Sequence, residues 1–121
     1  MMAALKGLYS DDISDLKTYS PSEDNNFGLL VRVMVGPMDG QGEESFEVLV
    51  CTPKWLSENN SSSDILLGLH KLIVFKYDYA RLQQFIEKYL MRCSGENWQE
   101  VAQKLSLLGQ WEFEGYWSNP R

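Results

Sequence analysis

Apolar residues recur along the chain with two different periods, and the change of period marks the elements. Phe27, Leu29, Val31, Val33 and Val35 alternate with Gly28, Leu30, Arg32 and Met34, so one face of an extended strand is wholly apolar. A second alternation sets Phe46, Val48 and Val50 against Glu47, Leu49 and Cys51. The glycines and proline of residues 36–44 interrupt a ladder, and the length of this stretch suits a long hairpin loop. The two strands are therefore expected to pair antiparallel. Residues 5–10 read as a short edge strand. Residues 11–26 read as a solvated connection, with a turn at Ser20-Pro21 and room for one short helical turn around Ile13 and Leu16.

Beyond the hairpin the period lengthens. Thr52-Pro53-Lys54-Trp55-Leu56 places a capping hydroxyl before a proline at the first helical position, where its missing N–H costs nothing, and a short helix is expected there. Residues 59–64 end that helix in a polar loop. Leu72, Ile73, Val74 and Phe75 are aliphatic and aromatic enough for a buried strand joining the hairpin's sheet. Asp78 can cap a helix in which Leu82, Phe85, Ile86, Tyr89, Leu90 and Cys93 form one apolar stripe. Ser94-Gly95-Glu96 breaks the stripe. Asn97 with Glu100 then makes a start resembling a capping box, for a helix with Trp98, Val101, Ala102, Leu105 and Leu108 inward and Gly109 as its stop. The aromatic and acidic alternation of residues 111–117 suits a final short strand or a segment packed across the sheet. Strands first and helices afterwards predict an α+β fold, a mainly antiparallel sheet of about four strands packed by a C-terminal α-helical hairpin.

Composition bounds this picture. The 121 residues fit a single domain, 1–121, and a 44% apolar content with 4 Trp, 6 Tyr and 5 Phe supplies enough large side chains for one core. No run of about 18 apolar residues occurs, and the N-terminus has no apolar stretch of signal-peptide length. A cytoplasmic protein, neither exported by that route nor membrane-spanning, is expected. Cys51 and Cys93 lie in apolar periodic segments and read as reduced core thiols, with a single disulfide left open by the sequence.

Charge is uneven. Residues 1–64 carry 4 basic and 11 acidic groups, net −7, whereas residues 65–121 carry 7 and 6, net +1. Repulsion of phosphate disfavours nucleic acid or an anionic membrane as partner and favours a basic protein surface. The candidate contact residues are Asp11, Asp12, Asp15, Glu23 and Asp24 in the first connection, Asp39, Glu43 and Glu44 in the hairpin loop, and Trp55 near an element end. Trp111 and Trp117 also lie near element ends, whereas Trp98 at helical spacing reads as core.

Candidate chemistry is sparse. His70 is the only histidine and has no carboxylate partner evident in sequence, and no Gly-rich turn marks Cys51 as an activated nucleophile. Two isolated cysteines and one histidine meet no zinc spacing. Residues 39–44 lack the order of a calcium loop, and no Gly-Lys-Ser/Thr ends a phosphate-binding loop. Neither a cofactor nor a metal is expected.

Several blocks taken together carry a resemblance: Phe27-Gly28 opening a strand that ends Met34-Val35-Gly36-Pro37, then Gly42-Glu43-Glu44-Ser45-Phe46, Cys51-Thr52-Pro53-Lys54-Trp55-Leu56, Leu72-Ile73-Val74-Phe75-Lys76-Tyr77-Asp78-Tyr79, and Trp98 through Trp111-Glu112-Phe113. The chain resembles the immunity protein 8 family of bacterial polymorphic toxin systems from about Phe27 to Phe113. The resemblance implies an α+β cytoplasmic protein that binds a cognate toxin domain and inhibits it by complex formation without turnover. It assigns no binding residue. Two other readings stand beside it: a small oligomeric structural or interaction module that self-associates through a sheet edge or the tryptophan-rich tail, and an enzyme using Cys51 or His70.

Overall fold

In a computed structural model, which describes residues 1–60 and 65–113, a single mixed sheet is packed by helices. Three strands follow in chain order, β1 (Ala3–Tyr9), β2 (Gly28–Pro37) and β3 (Glu44–Cys51). They pair antiparallel, with Val31 opposite Val48 and Val33 opposite Phe46. The period of two explains the layering: Leu29, Val31, Val33 and Val35 of β2 and Phe46, Val48 and Val50 of β3 are all buried on one face. The other face carries Leu30, Arg32 and Glu47, which are exposed. In β1 the register shifts between Leu5 and Gly7, a bulge that keeps both Leu5 and Leu8 on the core side.

Helix α1 (Pro53–Asn59) begins as its sequence dictates. Thr52 is extended and its hydroxyl accepts from the Trp55 N–H, with Pro53 in the first turn. The chain then crosses over to β4 (Lys71–Ile73), which runs parallel to β3 with Val50 opposite Leu72. Parallel pairing needs a connection of about a dozen residues or more, and the passage through α1 supplies it. The expected strand of Leu72, Ile73, Val74 and Phe75 is thus present but shorter, and it is not buried. Leu72 is half-covered, Ile73 is 49% exposed and Phe75 79%, because β4 is the outermost strand.

Helix α2 (Tyr79–Leu90) is capped by Asp78, whose carboxylate accepts from the Arg81 N–H at 3.1 Å. Leu82, Ile86, Leu90 and Cys93 enter the core. Phe85 departs from the expected stripe and is 53% exposed. Helix α3 (Trp98–Leu105) is capped by Asn97. Its capping arrangement differs from a true box, since Glu100 Oε1 accepts from the Glu96 N–H, not from that of Asn97. Val101, Ala102, Leu105 and Leu108 are buried, and Trp98 is half-buried against the core.

Gly109 is not the helix stop expected of it. The helix ends at Ser106 in ordinary helical geometry, and a Cβ on Gly109 would lie 2.9 Å from the Glu47 carbonyl oxygen. The glycine permits the chain to pass directly against β3, where β5 (Gln110–Trp111) pairs antiparallel with Phe46 and Glu47. Residues 114–117 of the expected final segment, including Trp117, lie outside the described residues, as do residues 61–64 of the polar loop.

The first connection contains turns and bends but no helix among its residues. Around Leu16 the Asp15 carboxylate accepts from the Lys17 N–H at 3.0 Å and the Thr18 hydroxyl at 3.2 Å, closing a turn that competes with helix formation. Leu16 itself is buried. Tyr77 anchors this connection: its hydroxyl donates to the Leu16 carbonyl, its N–H to that of Asp24, and its ring packs edge-on against Tyr19 and Phe27. Burial, followed by the neighbouring Tyr79, Tyr19 and Asp15, pushes the Tyr77 phenol up to about 12.

Candidate partner-binding surface

The candidate carboxylates fall into two groups at opposite ends of the β2–β3 hairpin. Glu23 and Asp24 precede its Gly28 end, whereas Asp39, Glu43 and Glu44 adjoin its Val35 end, roughly 23 Å away along an extended strand. Asp11 lies between them, paired at 2.9 Å with Arg32 on the outer face of the sheet.

Half of these carboxylates are engaged within the fold. Besides Asp11 and Asp15, Glu23 accepts from Asn26 and Lys54, and these bonds, Asn26 first, hold its carboxyl below the usual carboxylate range. Glu44 Oε1 accepts from two indoles, Trp98 Nε1–H and Trp111 Nε1–H, each at 2.8 Å. One carboxylate thus ties the start of β3 to both α3 and β5. The side chains of Asp12, Asp24, Asp39 and Glu43 are exposed and make no hydrogen bond or ion pair among the described residues.

Trp55 is half-buried, with its indole against the Gly28 backbone, where a Cβ would come within 2.4 Å of the ring. The glycine therefore allows α1 to cover this end of the outer sheet face. Thr52 completes the joint. Its hydroxyl accepts from the Phe27 N–H at 3.1 Å and from the Trp55 N–H at 3.3 Å, and its own N–H donates to the Phe27 carbonyl at 3.0 Å. The Cys-Thr-Pro-Lys-Trp-Leu block and Phe27-Gly28 therefore brace β2, β3 and α1 together, a structural reason for these residue types.

Cys51 and Cys93 are separate, free and buried. Burial pushes both thiols up, away from the thiolate that nucleophilic chemistry requires. His70 has φ 58°, a left-handed conformation costly for a residue with a side chain. Its ring Nε2 lies 2.7 Å from the Ser106 carbonyl oxygen, which can only accept, so this nitrogen carries the proton. The ring thereby fastens the start of β4 to the end of α3. His70 also stands about 10 Å along β3 from Cys51, so the sheet does not bring the two together. Among the described residues no three His, Cys, Asp or Glu side chains form a group able to hold a metal, and no helix is long and apolar enough to cross a membrane.

A concavity arises from the way the helices lie on the sheet. Helix α2 lies closest to β1, on the opposite side of the sheet from β4, which leaves the inner side of β4 incompletely covered. A cleft of about 460 Å³ opens there, with Phe27, Val50, Leu72 and Val74 on its sheet side and Leu82 and Phe85 on its helix side. Lys76, Asp78 and Arg81 are its charged lining. Leading into β4, Ile65, Leu67 and Leu69 are also exposed, at 86%, 80% and 54%. The sequence signal of this apolar run is Ile65-Leu66-Leu67-Gly68-Leu69, one residue ahead of β4, which periodicity alone does not mark as a site.

These features define a small α+β protein with a braced core, exposed carboxylate loops and an apolar cleft. The chain belongs to the immunity protein 8 family, whose model matches residues 3–116. Comparison with curated proteins and with solved structures gave no match.

Proposed function

We propose that this chain is a single-domain immunity protein that binds a cognate bacterial toxin domain in the cytoplasm and neutralises it by forming a stoichiometric complex. The observation that carries this reading is the family match across residues 3–116. The chemistry of the side chains supports inhibition without turnover, since Cys51 is a buried thiol shifted away from ionisation and the His70 ring is occupied by a backbone carbonyl. The excess of negative charge in residues 1–64 favours a toxin with a basic surface. Of the candidate carboxylates, Asp12, Asp24, Asp39 and Glu43 are left to present that charge to a partner.

Growth rescue tests the proposal. The toxin domain encoded immediately upstream of this gene is expressed in a bacterial host with and without this chain. Survival together with co-purification is the expected result; death of cells expressing both, against a toxin of confirmed activity, would refute the immunity role. Within the complex, charge reversal of Asp39 and Glu43 is expected to slow association and weaken its salt dependence, and unchanged kinetics would remove the hairpin loop from the contact.

A further inference from the structure

Two large apolar side chains that the sequence pattern assigns to the core, Phe75 and Phe85, remain outside it. Phe75 continues the apolar run of Leu72, Ile73 and Val74, and Phe85 belongs to the helical stripe that includes Leu82 and Ile86. Their exposures are 79% and 53%, yet they line the same cleft, one from the segment after β4 and the other from α2. A conflict between local pattern and fold, located at two neighbouring sites, is the mark of a surface selected for something other than the core.

The cleft has the form such a surface requires. Its 460 Å³ lies within the range of about 300 to 1,000 Å³ typical of sites that enclose side chains or small ligands. Its walls are mainly aliphatic and aromatic, and aromatic residues in concave, desolvated positions dominate the energetics of protein interfaces. Ile73, half-exposed on the outermost strand, adds to the apolar lining of the same cleft. Two cations, Lys76 and Arg81, and one carboxylate, Asp78, also line it, which leaves one positive charge in excess. Lys76 makes no ion pair among the described residues, and Arg81 leaves its side chain 83% exposed despite a 3.7 Å contact with Asp78.

We infer that the cleft between β4 and α2 receives a segment of the toxin domain that presents an apolar side chain flanked by carboxylates. The apolar side chain fills the space between Phe75 and Phe85, and the carboxylates meet Lys76 and Arg81. This surface is distinct from the acidic hairpin loop, and its charge is of the opposite sign. The inference rests on the immunity reading for the identity of its partner.

The test uses the full chain and the toxin domain encoded beside its gene. Affinities are measured by titration calorimetry for the wild type and for F75A, F85A, K76E and, on the opposite sheet face, L30A, with a thermal melt of each variant. F75A and F85A are expected to weaken binding by about tenfold or more, as loss of an anchoring aromatic does. K76E is expected to weaken it severalfold, in a manner that fades at high salt, and L30A to leave it unchanged. Because Phe75 is mostly exposed, F75A is also expected to melt with the wild type, which separates lost contact from lost fold. Wild-type binding with unchanged affinity in F75A and F85A would overturn the cleft assignment and leave the immunity reading intact. No complex with the wild type would overturn both. If sedimentation shows that the free chain self-associates and F75A abolishes it, the cleft is covered by a second copy and the toxin segment is excluded.

Discussion

Replacing Glu44 with alanine removes a single exposed-loop carboxylate by sequence, yet in the structure it removes a joint between three elements. Its Oε1 accepts two indole N–H groups at 2.8 Å, from Trp98 in α3 and Trp111 in β5. Hydrogen bonds to a charged partner contribute roughly 1.5 to 3 kcal/mol each, and Glu44 is half-exposed, so solvent reduces the pair to about 2–3 kcal/mol. For a chain of this size that is a fall in Tm of roughly 10 °C. Glutamine retains an oxygen acceptor without the charge, and E44Q is expected to lose about half as much. The adjacent Glu43 is exposed without such contacts, and E43A is expected to change stability by less than about 0.5 kcal/mol. Thermal and urea unfolding followed by tryptophan fluorescence would read all three variants. A Tm for E44A within about 3 °C of wild type, or equal losses for E43A and E44A, would refute the claim that this carboxylate joins β3 to α3 and β5.

Further predictions follow from the same contacts. G109A places a Cβ against the Glu47 carbonyl and is expected to cost about 1–3 kcal/mol by displacing β5, read as a lowered urea midpoint; an unchanged midpoint would contradict the close approach. The Tyr77 phenol is held neutral in the fold up to about 12, against 10 when free, so the unfolded chain loses its proton first. That contribution is complete below pH 10 and lost as pH rises through about 12, and the stability gap between wild type and Y77F should close over that window; a constant gap would contradict it. Cys51, with no exposed surface, is expected to resist thiol reagents in the native state and react quickly in denaturant, and rapid native labelling would reopen a nucleophilic role.

The sequence made legible those elements whose signal is local. Alternation in β2 and β3 gave their pairing face, Thr52-Pro53 and Asp78 gave two helix starts, and the stripe from Leu82 to Cys93 gave the buried side of α2. Features that depend on distant residues were not legible. The parallel direction of β4 follows from the crossover through α1, and the two-residue β5 exists because Gly109 lets the chain meet Glu47. Phe75 and Phe85 read as core because periodicity records what a side chain prefers, not whether a helix is placed to cover it. The acidic loops were legible as charge, but the separate duties of Glu43 and Glu44 were not, since only the fold brings Trp98 and Trp111 to one oxygen.

Action by occupancy and not by turnover is proposed for this member of the immunity protein 8 family. Its most direct test is a titration of the purified toxin domain's activity with increasing amounts of this chain. Activity falling in proportion to added protein and vanishing at one equivalent, with intact toxin recovered on dissociation, is the predicted result. Complete loss of activity at a small fraction of an equivalent, with chemically altered toxin, would contradict it and show a catalyst.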